Sequence, residues 1–127
     1  MHRRILYNLA GLLIACLLLL SGSTAPAVHC KLPVTLTAYT HSGQPTASGR
    51  LPQVGMVALS RDLERDLQLR FGAKLRLEGL GTVSFQDRMH TRWTKRVDLF
   101  MADVQAARRF GKRPGVLLLD GPGCPTR

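Results

Sequence analysis

The chain is short of acid and of aromatic surface. Eight Asp and Glu residues stand against eighteen Lys and Arg, and aromatics make up 6% of 127 residues with a single tryptophan. So few carboxylates leave little room for paired-acid chemistry except where two of them are brought together, and a net charge of +10 favours anionic partners over cationic ones. Cysteine is also sparse, three in all. None falls at a zinc-ligand spacing, and no Gly-rich phosphate loop or nucleophile elbow is present. Neither a repeat nor a low-complexity segment is visible, so solenoid and tandem architectures drop out.

The one long hydrophobic run lies at the start. His2-Arg3-Arg4 forms a positive n-region, Ile5 to Leu20 an apolar stretch, and Ala25-Pro26-Ala27 an A-x-A-like cleavage site. Together these predict a signal peptide over residues 1–27, with the mature protein periplasmic or secreted. Two alternatives stay open: an uncleaved membrane anchor, or lipidation at Cys16 in Leu13-Ile14-Ala15-Cys16. After cleavage no stable membrane insertion is expected. The remaining 100 residues, 28–127, suffice for one small domain. That segment keeps sixteen basic residues against eight acidic ones. Nucleic acid is the usual partner for such a charge, but export argues against it; anionic cell-wall peptides, lipids and polysaccharides come first. A basic, solvated surface with no partner is the bland alternative.

Cys30 and Cys124 sit near the two ends of the mature segment, and in an oxidising compartment a disulfide between them is the natural expectation. Closing so long a loop is worth about 4–5 kcal/mol in the chain-entropy model. Two free thiols are the other possibility.

Local patterning predicts six short strands and two short helices. Val34–Tyr39 alternates apolar and polar, and His41–Pro52 is a loop. Val54–Leu59 is a buried strand, and Ser60 stands at the N-cap of a helix from Arg61 to about Leu69, stopped by Gly72. Ala73–Leu77 and Thr82–Gln86 flank a Gly79-Leu80-Gly81 turn. Val97–Met101 is the next strand, Asp103 caps a helix to Phe110, and Val116–Leu119 closes the set. So many short strands in about 90 residues point to an all-β fold, a small closed barrel that removes its own edges.

The densest chemistry lies between Phe85 and Met101. Asp87 ends one strand and Asp98 lies in the next, eleven positions on, separated by a loop carrying Arg88, His90, Arg92, Trp93, Lys95 and Arg96. Both carboxylates are placed to face one cleft. His41 and His90 are the other titratable groups near it, each without a neighbour at metal-ligand spacing, so no metal and no cofactor is expected.

In order along the chain, Thr37-Ala38-Tyr39-Thr40, Thr46-Ala47-Ser48-Gly49 and Val57-Ala58-Leu59-Ser60 are followed by Phe71-Gly72-Ala73-Lys74-Leu75-Arg76-Leu77-Glu78-Gly79. Then come Asp87, Arg96-Val97-Asp98-Leu99-Phe100 and Ala107-Arg108-Arg109-Phe110-Gly111. This series resembles the triple-aspartate ("3D") and rare-lipoprotein-A-like double-psi β-barrel domains, and it is similar to the catalytic barrel of membrane-bound lytic transglycosylase A. The resemblance implies a six-stranded double-psi β-barrel with two short helices. It also implies cleavage of the bond between N-acetylmuramic acid and N-acetylglucosamine in peptidoglycan, with Asp98 as general acid/base and Asp87 shaping the site.

Tyr39, Trp93, Arg88, Arg92 and Ser60 are the expected substrate-binding residues. Tyr39 and Trp93 offer flat rings to sugars, or else plug the barrel mouth. Ser60 occupies the family's third acidic position, and the family's glycine-rich loop after the first aspartate is replaced here by Arg88-Met89-His90-Thr91-Arg92-Trp93. The four basic residues of this loop, if within about 4–6 Å of the aspartates, lower their pKa and oppose a general-acid role. The expected partner is the peptidoglycan glycan strand, bound by a monomer. A non-enzymatic glycan-binding module, with both aspartates as loop-fixing acceptors, is the alternative.

Overall fold

The computed structural model describes residues 28–120, together with Gly22. The expected signal peptide and Cys124, with its pairing to Cys30, lie outside the described residues.

Six strands close into a barrel, ordered β1-β5-β2-β4-β3-β6. They are β1 (Val28–Tyr39), β2 (Met56–Leu59), β3 (Lys74–Leu77), β4 (Gly81–Arg88), β5 (Arg96–Phe100) and β6 (Arg113–Asp120), with helices α1 (Arg61–Asp66) and α2 (Val104–Phe110). Pairing is mixed: β1 with β5 and β2 with β4 are parallel, and the other four ladders are antiparallel. Among the described residues no helix is long and apolar enough to cross a membrane.

The interior follows from period-two alternation. Val34 and Leu36 from β1, Val57 and Leu59 from β2, Leu75 and Leu77 from β3, Val83 and Phe85 from β4, Val97 from β5 and Leu117 from β6 form one cluster, joined by Leu63 of α1. Phe85, Leu59, Leu77, Leu117, Val57 and Val97 are wholly buried. Gly115 on β6 lets Leu36 into this core: a Cβ there would lie 2.5 Å from Leu36 Cγ and Cδ1. The β3–β4 hairpin forms as expected, with Gly79 (φ +76°) and Gly81 (φ +89°) in the left-handed region its turn requires.

Several boundaries differ from expectation. β1 starts at Val28 rather than Val34 and runs through Pro33; β6 starts at Arg113 rather than Val116 and includes Pro114. Each proline lies where its strand has one neighbour. Pro33 pairs only with Val116 of β6, and Pro114 only with Thr35 of β1, so neither ladder needs the missing N–H. β2 begins at Met56, leaving Val54 76% exposed. Helix α1 is a turn shorter than expected, with Leu67 as its C-cap and Gln68 at φ +51°. Asp103 caps α2 as expected, its carboxylate accepting from the amides of Gln105 (3.0 Å) and Ala106 (3.2 Å).

Candidate functional site

Asp98 and Asp87 meet across β2. In the β2–β5 ladder Ala58 opposes Asp98, and in the β2–β4 ladder Ala58 opposes Asp87; on the far side of β5, Thr37 of β1 pairs with Asp98. The row Thr37–Asp98–Ala58–Asp87 therefore crosses four strands. Opposed residues share a face, and Ala58 in the middle has no side chain long enough to separate the two carboxylates.

Alternation alone would not have produced this row. Val83 and Phe85 of β4 point inward, so a regular strand would send Asp87 inward too. The β2–β4 register shifts between Val57 and Ala58: Val57 opposes Phe85 and Ala58 opposes Asp87, leaving Gln86 as the extra residue of a β-bulge. That one residue turns Asp87 to the face of Asp98. Gln86 stays buried, its Nε2 donating to Ser84 Oγ at 2.9 Å.

The Thr46-Ala47-Ser48-Gly49 loop docks on the bulge. Ser48 N donates to Gln86 O at 3.0 Å and Ala47 N to Asp87 Oδ1 at 2.9 Å, while Arg88 N reaches the same oxygen at 2.8 Å. The loop is closed by Gly49 N to Thr46 O (2.8 Å) and by Thr46 Oγ1 to Arg50 O (2.8 Å), with Gly49 at φ +86°. Asp87 is thus fixed by two backbone amides rather than by a cation.

Asp98 has a different setting. Its Oδ1 accepts from Thr37 Oγ1 at 2.8 Å, and partial burial raises its pKa above its ordinary value. The Thr37 hydrogen bond and the Arg96 charge pull it down, the Asp87 charge pushes it up, and burial prevails.

The two aspartates open into a cleft of about 210 Å³, lined among the expected site residues by Tyr39, Arg88 and Trp93, and additionally by Ala58, Met89 and His90. Arg92 and Ser60 are not among its lining residues. Ser60 is fully buried at the end of β2. It holds the N-cap position, yet its hydroxyl makes no cap bond and instead accepts from Arg96 N at 3.0 Å, tying α1 to β5.

The basic loop makes no ion pair with either cleft acid among the described residues; the Arg96 charge still reaches Asp98, but the guanidiniums have other partners. Arg88 makes a bidentate pair with Glu64 of α1 (2.6 and 2.7 Å) and lies over the Phe71 ring at 4.3 Å. Arg96 and Arg92 stack on Trp93, at 3.7 and 4.8 Å from its ring. Trp93 in consequence serves as a rim post for two cations. Lys95, at φ +46°, donates its backbone N–H to Asp62 Oδ2 at 2.8 Å. His41 lies against Phe100, ring centroids 4.8 Å apart, and is not among the cleft's lining residues.

Tyr39 completes the wall. Its ring meets Phe100 edge to face at 5.5 Å, and its hydroxyl is buried with no hydrogen-bond partner among the described residues. Burial first, then the charges of Asp87 and Asp98, push the phenol up to about 12, so it stays a donor throughout the physiological range. Among the described residues no group of three or more His, Cys, Asp or Glu side chains is placed to hold a metal ion.

Sequence reasoning missed Thr37, Ala58 and the Ala47 amide as parts of this site. The signal for the first two was present: Thr37 lies on the polar face of an alternating strand, and Ala58 is the smallest side chain in Met56–Leu59. The chemistry open to the cleft is that of one proton-carrying carboxyl, one fixed carboxylate and one phenol donor. No family model matches this chain, and no curated protein matches it.

Proposed function

We propose that this is an exported cell-envelope protein whose barrel has double-psi topology and which cuts peptidoglycan glycan strands as a lytic transglycosylase. The observation that carries the reading is the placement of Asp98 on one cleft with a second carboxylate, both opposing Ala58, in a partly buried setting that raises its pKa. A carboxyl whose burial favours the protonated form is better suited to act as a general acid.

In the proposed reaction Asp98 gives its proton to the glycosidic oxygen as the bond from the muramic C1 breaks. The resulting carboxylate then takes the proton of the muramic C6 hydroxyl as that oxygen bonds to C1. The product is a 1,6-anhydro sugar, and Asp98 ends as it began. One proton-shuttling carboxylate suffices, whereas ordinary glycoside hydrolysis uses two. Asp87, held by the Ala47 and Arg88 amides, would orient the sugar and keep negative charge near Asp98. The motif series that resembles the 3D and rare-lipoprotein-A-like domains supports the same assignment by analogy of fold.

One observation favours a second reading. Asp87 is saturated on one oxygen by two backbone amides, the arrangement of a loop-fixing acceptor, so the cleft would suit a module that binds glycan without cutting it. Mature protein, wild type beside Asp98→Asn, incubated with purified peptidoglycan and read by mass spectrometry separates the two. Anhydro-muropeptides from wild type alone support the enzyme. Co-sedimentation of both proteins with the wall and no product from either makes the protein a binding module.

A further inference from the structure

The Tyr39 hydroxyl is the unexplained polar atom of the cleft. It is buried, it makes no hydrogen bond among the described residues, and it belongs to a side chain that lines the cleft, close enough for the charges of Asp87 and Asp98 both to reach it. A buried donor with no partner costs about 1–3 kcal/mol. Folding alone gives no return for it, because the ring would pack on Phe100 equally well as phenylalanine.

Its placement is set by the same row that sets the acids. Tyr39 follows Thr37 by two residues on β1, so both lie on one face, and Thr37 touches Asp98. Tyr39 pairs with Phe100 in the parallel β1–β5 ladder, and Met101 N donates to Tyr39 O at 2.8 Å, so the backbone holding the phenol is fixed on its β5 side.

We propose that Tyr39 Oη is a ligand-binding donor that takes an acceptor oxygen of a bound glycan, an amide carbonyl or a ring or hydroxyl oxygen, next to the bond addressed by Asp98. The assignment rests on the glycan reading above and adds a specificity element to it. Occupied, the cleft presents two donors, protonated Asp98 and Tyr39, beside one fixed acceptor, Asp87. A ligand lacking an oxygen at the Tyr39 position leaves the phenol buried and unpaired, and is rejected for that reason.

The test compares mature wild type with Tyr39→Phe in two measurements: urea unfolding, and calorimetric titration with a soluble β-1,4-linked N-acetylglucosamine oligomer. The expected result is an unfolding midpoint unchanged or higher in the variant, with affinity weakened about three- to tenfold. Equal affinity with wild type binding normally overturns the Tyr39 assignment and leaves the glycan reading standing. A lowered midpoint also overturns it, by showing that the hydroxyl has an internal partner. If neither protein binds the oligomer, the ligand assigned to Tyr39 falls, and the peptidoglycan incubation described above decides the glycan reading separately.

Discussion

Glu64 and Asp98 are both partly buried carboxylates near the Arg88–Arg96 loop, and they are held in opposite ways. Glu64 lies on α1 under the bidentate grip of Arg88, whose hydrogen bonds hold it below the ordinary range, with the charges of Arg88 and Arg61 adding to the effect. Among the described residues Asp98 accepts only the neutral Thr37 hydroxyl, and burial raises its pKa. The same division runs through the molecule. Asp66, Glu78, Asp103 and Asp120, like Glu64, each lie within 4 Å of a Lys or Arg, whereas Asp62, Asp87 and Asp98 have no such cation among the described residues. A chain with more than twice as many cations as anions nonetheless keeps its cleft acids free of direct ion pairs among the described residues. Arg88 is drawn off by Glu64, and Arg92 and Arg96 by Trp93.

The comparison breaks most visibly at Asp98. Asp98→Asn keeps the shape and the Thr37 contact but carries no transferable proton, and on the enzyme reading should cut the rate of peptidoglycan cleavage about 10²- to 10⁴-fold. Stability should move the other way. A folded pKa raised above the unfolded value of about 3.9 gives a contribution that is full below that value and is lost as pH rises through the raised pKa. The variant should therefore be more stable than wild type at pH 7, with the difference closing as pH falls below 4. Urea midpoints across pH measure this; a variant less stable at pH 7 would show that Asp98 is a structural acceptor.

Glu64→Gln tests the other half. With its folded pKa lowered, Glu64 contributes stability above its unfolded value of about 4.3, and that contribution is lost as pH falls through the lowered pKa. The pair is partly exposed, so the expected cost at pH 7 is about 1 kcal/mol, shrinking toward acid, the reverse of Asp98→Asn. Freed from Glu64, Arg88 also becomes available to Asp87 and Asp98. The acid-limb pKa in a pH–rate profile should then move down.

Thr37→Val sharpens the comparison without adding charge. Removing the hydroxyl takes away a donor that lowers the Asp98 pKa, so the general-acid limb should shift to higher pH, and the cleft acid should diverge further from Glu64. A pH–rate profile with no shift would mean that the Thr37 bond does not govern the proton on Asp98.

How far these contrasts could be read beforehand depends on range in sequence. Alternation in Val34–Tyr39 and Thr82–Gln86, the glycines of the β3–β4 turn and the Asp103 cap are local signals, and each forms as the residues suggest. The spacing of Asp87 and Asp98 marked both carboxylates as candidates. Their common face was not derivable from it, because parity along β4 is reversed by the bulge at Gln86, and the bulge exists through pairing with β2 nearly thirty residues away. Likewise alternation begins the first and last strands at Val34 and Val116, and only the ladders show that each strand extends back through a proline paired on one side. Counting cations near the acids overstates their effect for the same reason: Arg96 does lower the Asp98 pKa, but burial outweighs it, and Arg88 is paired with Glu64 on another element.

The smallest effect is expected at Lys31–Glu78, where the N–O distance is 2.5 Å and both side chains stay about half exposed. Geometry alone would rank this contact above Arg88–Glu64. Water screens it, however, and ordering two long exposed side chains offsets most of the attraction. Glu78→Gln should change the urea midpoint by no more than about 0.5 kcal/mol, with no change in cleavage or in its pH profile. A loss as large as that of Glu64→Gln would mean that closeness of approach, and not desolvation, separates the carboxylates of this barrel.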